Sequence, residues 1–183
     1  MRGARANGLM AAGLTAVALG TAFRTLDAVP DPHLVARWWP ATALITVLFL
    51  LLPREDTRGL TFLTTAGMFA VAVMVGHQGL FAITFAVANT AEVLVVVWWL
   101  TRLEEGVPSL RSWGDYRRWL LGITAGCLVS GLITAAGLWA TEGVSPWRTL
   151  LWIFGSYVPM TVYVPTAHAE AAHANMKSWL DGA

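Results

Sequence analysis

The sequence predicts an all-α fold: a polytopic transmembrane bundle of about six helices, with both termini in the cytoplasm. Three observations carry this expectation. The first is composition: apolar residues make up 56% and charged residues 13% of the 183, whereas a soluble domain averages roughly 45–50% and about 25%. Mean hydropathy is +0.59. A chain this apolar cannot cover its surface with polar groups, so lipid is the natural solvent for much of it. The second is pattern. The apolar stretches are long and continuous, without the in-out alternation over about ten residues that barrel strands show. Helices and closed barrels are the two structures that pair every backbone group inside a bilayer, so the spans are helices. The third is the uneven distribution of Lys and Arg between the two sides.

A span needs roughly 20 mostly apolar residues. The first runs from about Leu9 to Phe23, after Arg2 and Arg5. It is read as a retained helix rather than a signal peptide, because no small-residue cleavage site followed by a polar domain appears. The second covers about Trp38 to Leu52 and stops at Pro53 and the charged cluster Arg54, Glu55, Asp56 and Arg58. The third covers about Leu60 to Gly76, and a turn through His77, Gln78 and Gly79 leads into the fourth, about Leu80 to Thr101. The fifth runs from about Trp119 to Ala140 and the sixth from about Pro146 to Ala167. Residues 1–167 thus form the bundle, and 168–183 form an Ala-rich helical tail.

With six spans, Arg2, Arg5, Arg54, Arg58, Arg102, Arg111, Arg117, Arg118 and Lys177 share one side, and Arg24, Arg37 and Arg148 the other, accounting for all 12 basic residues. The positive-inside rule assigns the richer side, with both termini, to the cytoplasm of a cell inner membrane. The segment before the fifth span carries a helix-start signal, Ser112 with Asp115 three residues on. Trp113, Tyr116 and Trp119 fit a short helix at the headgroup level before the chain turns inward, its arginines suiting anionic lipid.

The net charge of +1 argues against a nucleic-acid partner. Cys127 is the one cysteine, reads as a small buried residue, and rules out an internal disulfide. No Lys falls within a span, which excludes a retinal Schiff base, and no span holds two histidines for a membrane haem. His168 and His173 diverge by about 140° on a helix, which gives no metal site. No phosphate loop, nucleophile elbow or other catalytic constellation is present. The expectation is therefore a non-enzymatic protein without a metal or cofactor.

The ionisable group inside a span is Glu92, with Asn89 one turn earlier on the same face. The pair reads either as part of a ligand pocket or proton site, or as hydrogen-bonding pins between helices. No arginine lies at that depth, so a partner for Glu92 has to come from a helix end or a backbone group. Trp38, Trp39, Trp98, Trp99 and Trp147 near helix ends fit an aromatic belt. Gly122, Gly126, Gly131 and Gly137 fit close packing of the fifth helix.

Several segments resemble the MASE1 domain, a bacterial integral membrane sensory domain. Trp38-Trp39-Pro40-Ala41-Thr42-Ala43-Leu44, followed by an apolar helix ending in Leu52-Pro53-Arg54, is similar to that family's W-P-x-x-G-I/L start. Ala88-Asn89-Thr90-Ala91-Glu92 resembles its A-N-T-x-E helix, and Leu110 to Leu120 resembles its cytoplasmic connection. Trp152 to Pro165 is similar to its W-x-x-x-D-x-x-G-x-L-x-x-x-P ending, with Ser156 in place of the Asp and Pro159 in place of the Gly. The resemblance covers about residues 35–168. It implies a signal-input module, with Trp38, Trp39, Asn89, Glu92, Trp152 and Ser156 as ligand-binding or switch candidates. It also implies a cytoplasmic kinase or cyclic-dinucleotide output module as partner, acting as a homodimer. The competing expectations are a small membrane transporter or channel with Asn89 and Glu92 along its path, and an accessory subunit of a membrane complex.

Overall fold

A computed structural model describes residues 2–27, 40–52, 57–77, 79–102, 112–143, 145, 157 and 161. Among these the secondary structure is helical throughout: α1 (Arg2–Asp27), α2 (Ala41–Leu51), α3 (Thr57–Met74), α4 (Leu80–Thr101) and α5 (Trp113–Glu142). Of the sixth expected span, Tyr157 and Thr161 are described, both helical. Trp38, Trp39, Trp147, Trp152, Ser156, His168 and His173 lie outside the described residues.

Three helices, α3, α4 and α5, are long and apolar enough to cross a membrane. At 1.5 Å per residue their 18, 22 and 30 residues reach about 27, 33 and 45 Å, against about 30 Å of hydrocarbon. Neither α4 nor α5 has a polar face turned outward along its length, and their few polar core groups are buried. Their apolar character runs all round, as it does in a helix with lipid on one side and protein on the other. Large apolar side chains face outward, among them Phe62, Leu63, Ile83, Val87, Leu128 and Leu132. The buried set includes Thr42, Thr46, Thr64, Asn89, Thr90, Glu92, Ser130 and Thr134. Polar side chains are thus held within a mainly apolar core while large apolar ones face outward, the arrangement a bilayer favours. α2, with 11 residues, is a half-length helix of about 17 Å.

The helix ends follow local chemistry. Pro40 precedes the first residue of α2, and Pro53 follows its end. α3 closes on Gly76 at φ +100°, a left-handed conformation that glycine alone adopts without strain, and Gly79 at φ +63° starts α4. Ser112 caps α5, its Oγ accepting from the Asp115 amide at 3.1 Å. The headgroup-level helix expected before the fifth span is therefore the first two turns of α5 itself, with no break. Trp119, expected at the membrane surface, is buried between helices.

α4 is the centre of the described bundle, packing on α2, α3 and α5, while α1 packs on α2 and α3. The α1–α3 contact is close at Gly67, where an added Cβ would lie 2.7 Å from Leu19 Cδ1. α4 and α5 run antiparallel and share the longest interface. Gly137 sits against Thr84, Gly126 against Val96 and the Glu92 carbonyl, and Gly122 against Trp99. Three of the four glycines expected to permit close packing thus touch α4, as small residues do where membrane helices meet. α2 runs alongside α4 in the same direction. Thr42 meets Glu92, and Val47, Leu50 and Leu51 share a cluster with Val96, Trp99 and Leu100.

Candidate functional site

The site grows from the spacing on α4. Asn89 and Glu92, one turn apart, are both fully buried, at 0% exposure. Asn89 Nδ2 donates back to the Phe85 carbonyl at 2.7 Å, within its own helix. Glu92 reaches outward to two other helices. Thr42 Oγ1 of α2 donates to Glu92 Oε1 at 3.2 Å, and Cys127 Sγ of α5 donates to the same oxygen at 3.7 Å. The Gly126 backbone, tight against the Glu92 carbonyl, brings the neighbouring Cys127 into range.

α2 and α5 each pack on α4, and Ala43 and Val47 of α2 share a core cluster with Ile123 and Cys127 of α5. The Glu92 carboxyl is a joint at which α2, α4 and α5 come together. Thr42 lies in the first turn of α2, whereas Cys127 is a side chain far from either end of α5, so the expectation that partners come from helix ends or backbone groups does not cover it. Cys127, in the middle of α5, is a partner that the sequence did not reveal. α2 also begins at this depth, which turns the positive end of its dipole toward the carboxyl. Thr46 Oγ1 bonds the Thr42 carbonyl at 2.8 Å and so steadies the donor's own turn.

The polar character continues along α5. Ser130 and Thr134 follow Cys127 one and two turns later on the same stripe. Both are buried, and their hydroxyls have no hydrogen-bond partner among the described residues. On the other side of α4, Thr90 pairs with Thr65 of α3, with 3.0 Å between hydroxyls. Close by, α3 and α4 enclose a groove of about 270 Å³, lined by Phe62, Thr65, Ala66, Phe69, Ile83, Ala86 and Val87.

Glu92 lies six residues from Trp98, or about 9 Å along the axis, and 12 residues from Leu80, or about 18 Å. Its chemistry follows from this place. A carboxyl in low dielectric is tolerated where donors satisfy it or a proton neutralises it. Here a hydroxyl and a thiol, the thiol a weak donor, converge on one oxygen. The carboxyl thereby links three helices. His77, at the far end of α4, is apart from this group, with its ring 4.4 Å from Phe81. Compared with models of known protein families, with curated proteins and with solved structures, the chain matches none of them.

Proposed function

We propose that the chain is a signal-input module of the MASE1 kind, set in a bacterial inner membrane with about six spans and both termini cytoplasmic. Its tail over 168–183 passes the signal to a cytoplasmic kinase or cyclic-dinucleotide output module, with the chain working as a homodimer. Asn89 and Glu92 are the switch residues, and Trp38, Trp39, Trp152 and Ser156 complete the set that receives the signal.

The observation that carries this reading is the Glu92 joint. An input module needs two packings of its helices whose balance a signal can shift. A carboxyl shared by α2 and α5 supplies that, because a change in its protonation or donors alters how both helices hold to α4. Reading the gene beyond the codon for Ala183, and its neighbours, tests the proposal. A continuing frame or an adjacent kinase or cyclase gene supports it. A stop codon with no signalling gene nearby contradicts it.

A second reading, a small transporter, is favoured by one observation: α2 starts at the depth of Glu92. Interrupted helices whose ends meet a polar group inside the membrane are a common way to build a transport site. Protonophore-sensitive solute flux into proteoliposomes, lost in Glu92→Gln, would establish it in place of the first.

A further inference from the structure

We infer that Ser130 and Thr134 of α5 form a binding site for ordered water beside the Glu92–Cys127 contact, and that this water supplies Glu92 with its proton. The inference deepens the reading of Glu92 as a switch and rests on that reading for what the proton does.

Two kinds of hydroxyl occur within α5. A threonine inside a helix can donate to the carbonyl four residues back. Thr124 does so, to Leu120 at 2.7 Å, and Thr141 does so, to Gly137 at 2.8 Å. Ser130 and Thr134 do not. Their exposures are 0% and 1%, and neither hydroxyl has a hydrogen-bond partner among the described residues. A buried hydroxyl without a partner is costly, and ordered water is the usual partner where protein supplies none.

Both hydroxyls continue a row that begins at Glu92. Cys127 Sγ lies 3.7 Å from Glu92 Oε1. Ser130 follows Cys127 by three residues, and Thr134 follows Ser130 by four. These spacings make neighbours on a helix surface, with Cβ atoms about 5–6 Å apart. One water spans a gap of that size, with a hydrogen bond of about 2.8 Å to each side. At 100° per residue the three side chains stay within about 60° of one another.

The neighbouring wall is small. α4 approaches α5 at Gly126, against the Glu92 carbonyl, and at Gly137, against Thr84. Ala88, buried and midway between Thr84 and Glu92, is what α4 sets between those contacts. A methyl group offers neither hydroxyl a partner and takes little room.

The row runs toward the C-terminal end of α5. Thr141, two turns beyond Thr134 and on the same side of the helix, is exposed. Protons enter from that end. Each water, hydroxyl or thiol gives up one hydrogen as it gains another, so the aqueous phase loses a proton and the Glu92 carboxylate gains it. A carboxyl inside a span commonly marks such a relay.

Transfer of the folded protein, in detergent, from light to heavy water tests the site. Cys127 is the one cysteine, so replacement of its infrared S–H band by an S–D band reports exchange at this point alone. Ser130→Ala and Thr134→Val each slow that replacement about tenfold relative to wild type, because each takes one partner from a buried water. Thr134→Ser keeps the hydroxyl and exchanges at the wild-type rate. So does Thr124→Val, whose lost hydroxyl was bonded within its own helix. Unfolding speeds exchange, so a slowed band does not come from a damaged fold. Wild-type or faster exchange in both Ser130→Ala and Thr134→Val would overturn the water site. Equal slowing in Thr134→Ser and Thr134→Val would assign the effect to packing and overturn it as well. The gene beyond Ala183 decides the sensing role and not this exchange rate, so either reading can fail alone.

Discussion

The two long interfaces of α4 are built by different means. Against α5 it packs through glycines, so that backbone and side chain touch at Gly122, Gly126 and Gly137. Against α3 it packs through buried apolar side chains, among them Met68, Val71, Ala72, Ala82 and Phe85, and one hydroxyl pair, Thr65–Thr90, and leaves an open apolar groove. The Glu92 joint lies on the tight side. Weak donors such as a thiol hold a carboxyl only where the distance is fixed by something stiffer, and close glycine packing provides that. The α3 side, looser at its groove, carries no such group among the described residues.

Substitutions at four positions sharpen this contrast, and thermal or denaturant unfolding in detergent reads each. The largest effect is expected at Gly126→Val. The added Cβ would stand 2.5 Å from Val96 Cγ2 and 2.9 Å from the Glu92 carbonyl, and backbone cannot move aside cheaply. Overpacking of this kind costs about 1–3 kcal/mol, more where backbone is met. Glu92→Leu comes next. It strands the Thr42 hydroxyl and the Cys127 thiol, with a loss of about 1–3 kcal/mol, whereas Glu92→Gln keeps an accepting oxygen and loses less. On the loose side, Thr90→Val removes one interhelical hydrogen bond, worth about 0.6 kcal/mol in membrane bundles. Ala66→Leu, on the exposed wall of the groove, stays within about 0.5 kcal/mol. A larger loss at Ala66 than at Gly126 would reverse the assignment of tight and loose sides.

Much of the framework was legible in the sequence, because continuous apolar runs and their breakers are local signals. α4 spans Leu80–Thr101 as expected, bounded by Gly79 and Arg102. α5 starts six residues earlier than its apolar run, at the Ser112 cap. The cap was visible, but the polar turns after it hid the continuity of the helix. α2 is shorter than its apolar run because Pro40 sets its start.

The site divides the same way. That Asn89 and Glu92 share a face follows from helical spacing alone. That Thr42, fifty residues away, and Cys127 meet the same oxygen depends on the register between three helices. Nothing in a local pattern encodes that register, and a lone cysteine in an apolar run looks like any small core residue. The glycine spacing on α5 was the nearest signal, since it marked the face on which Cys127 lies.

The joint is tested most directly by the infrared S–H stretching band. Cys127 is the one cysteine in the chain, so the band has a single source. A thiol donating to Glu92 absorbs at lower frequency in the wild type, and the band moves up in Glu92→Leu. A band that stays at the same frequency in both proteins would contradict the contact and, with it, the account of Glu92 as the link between α2 and α5.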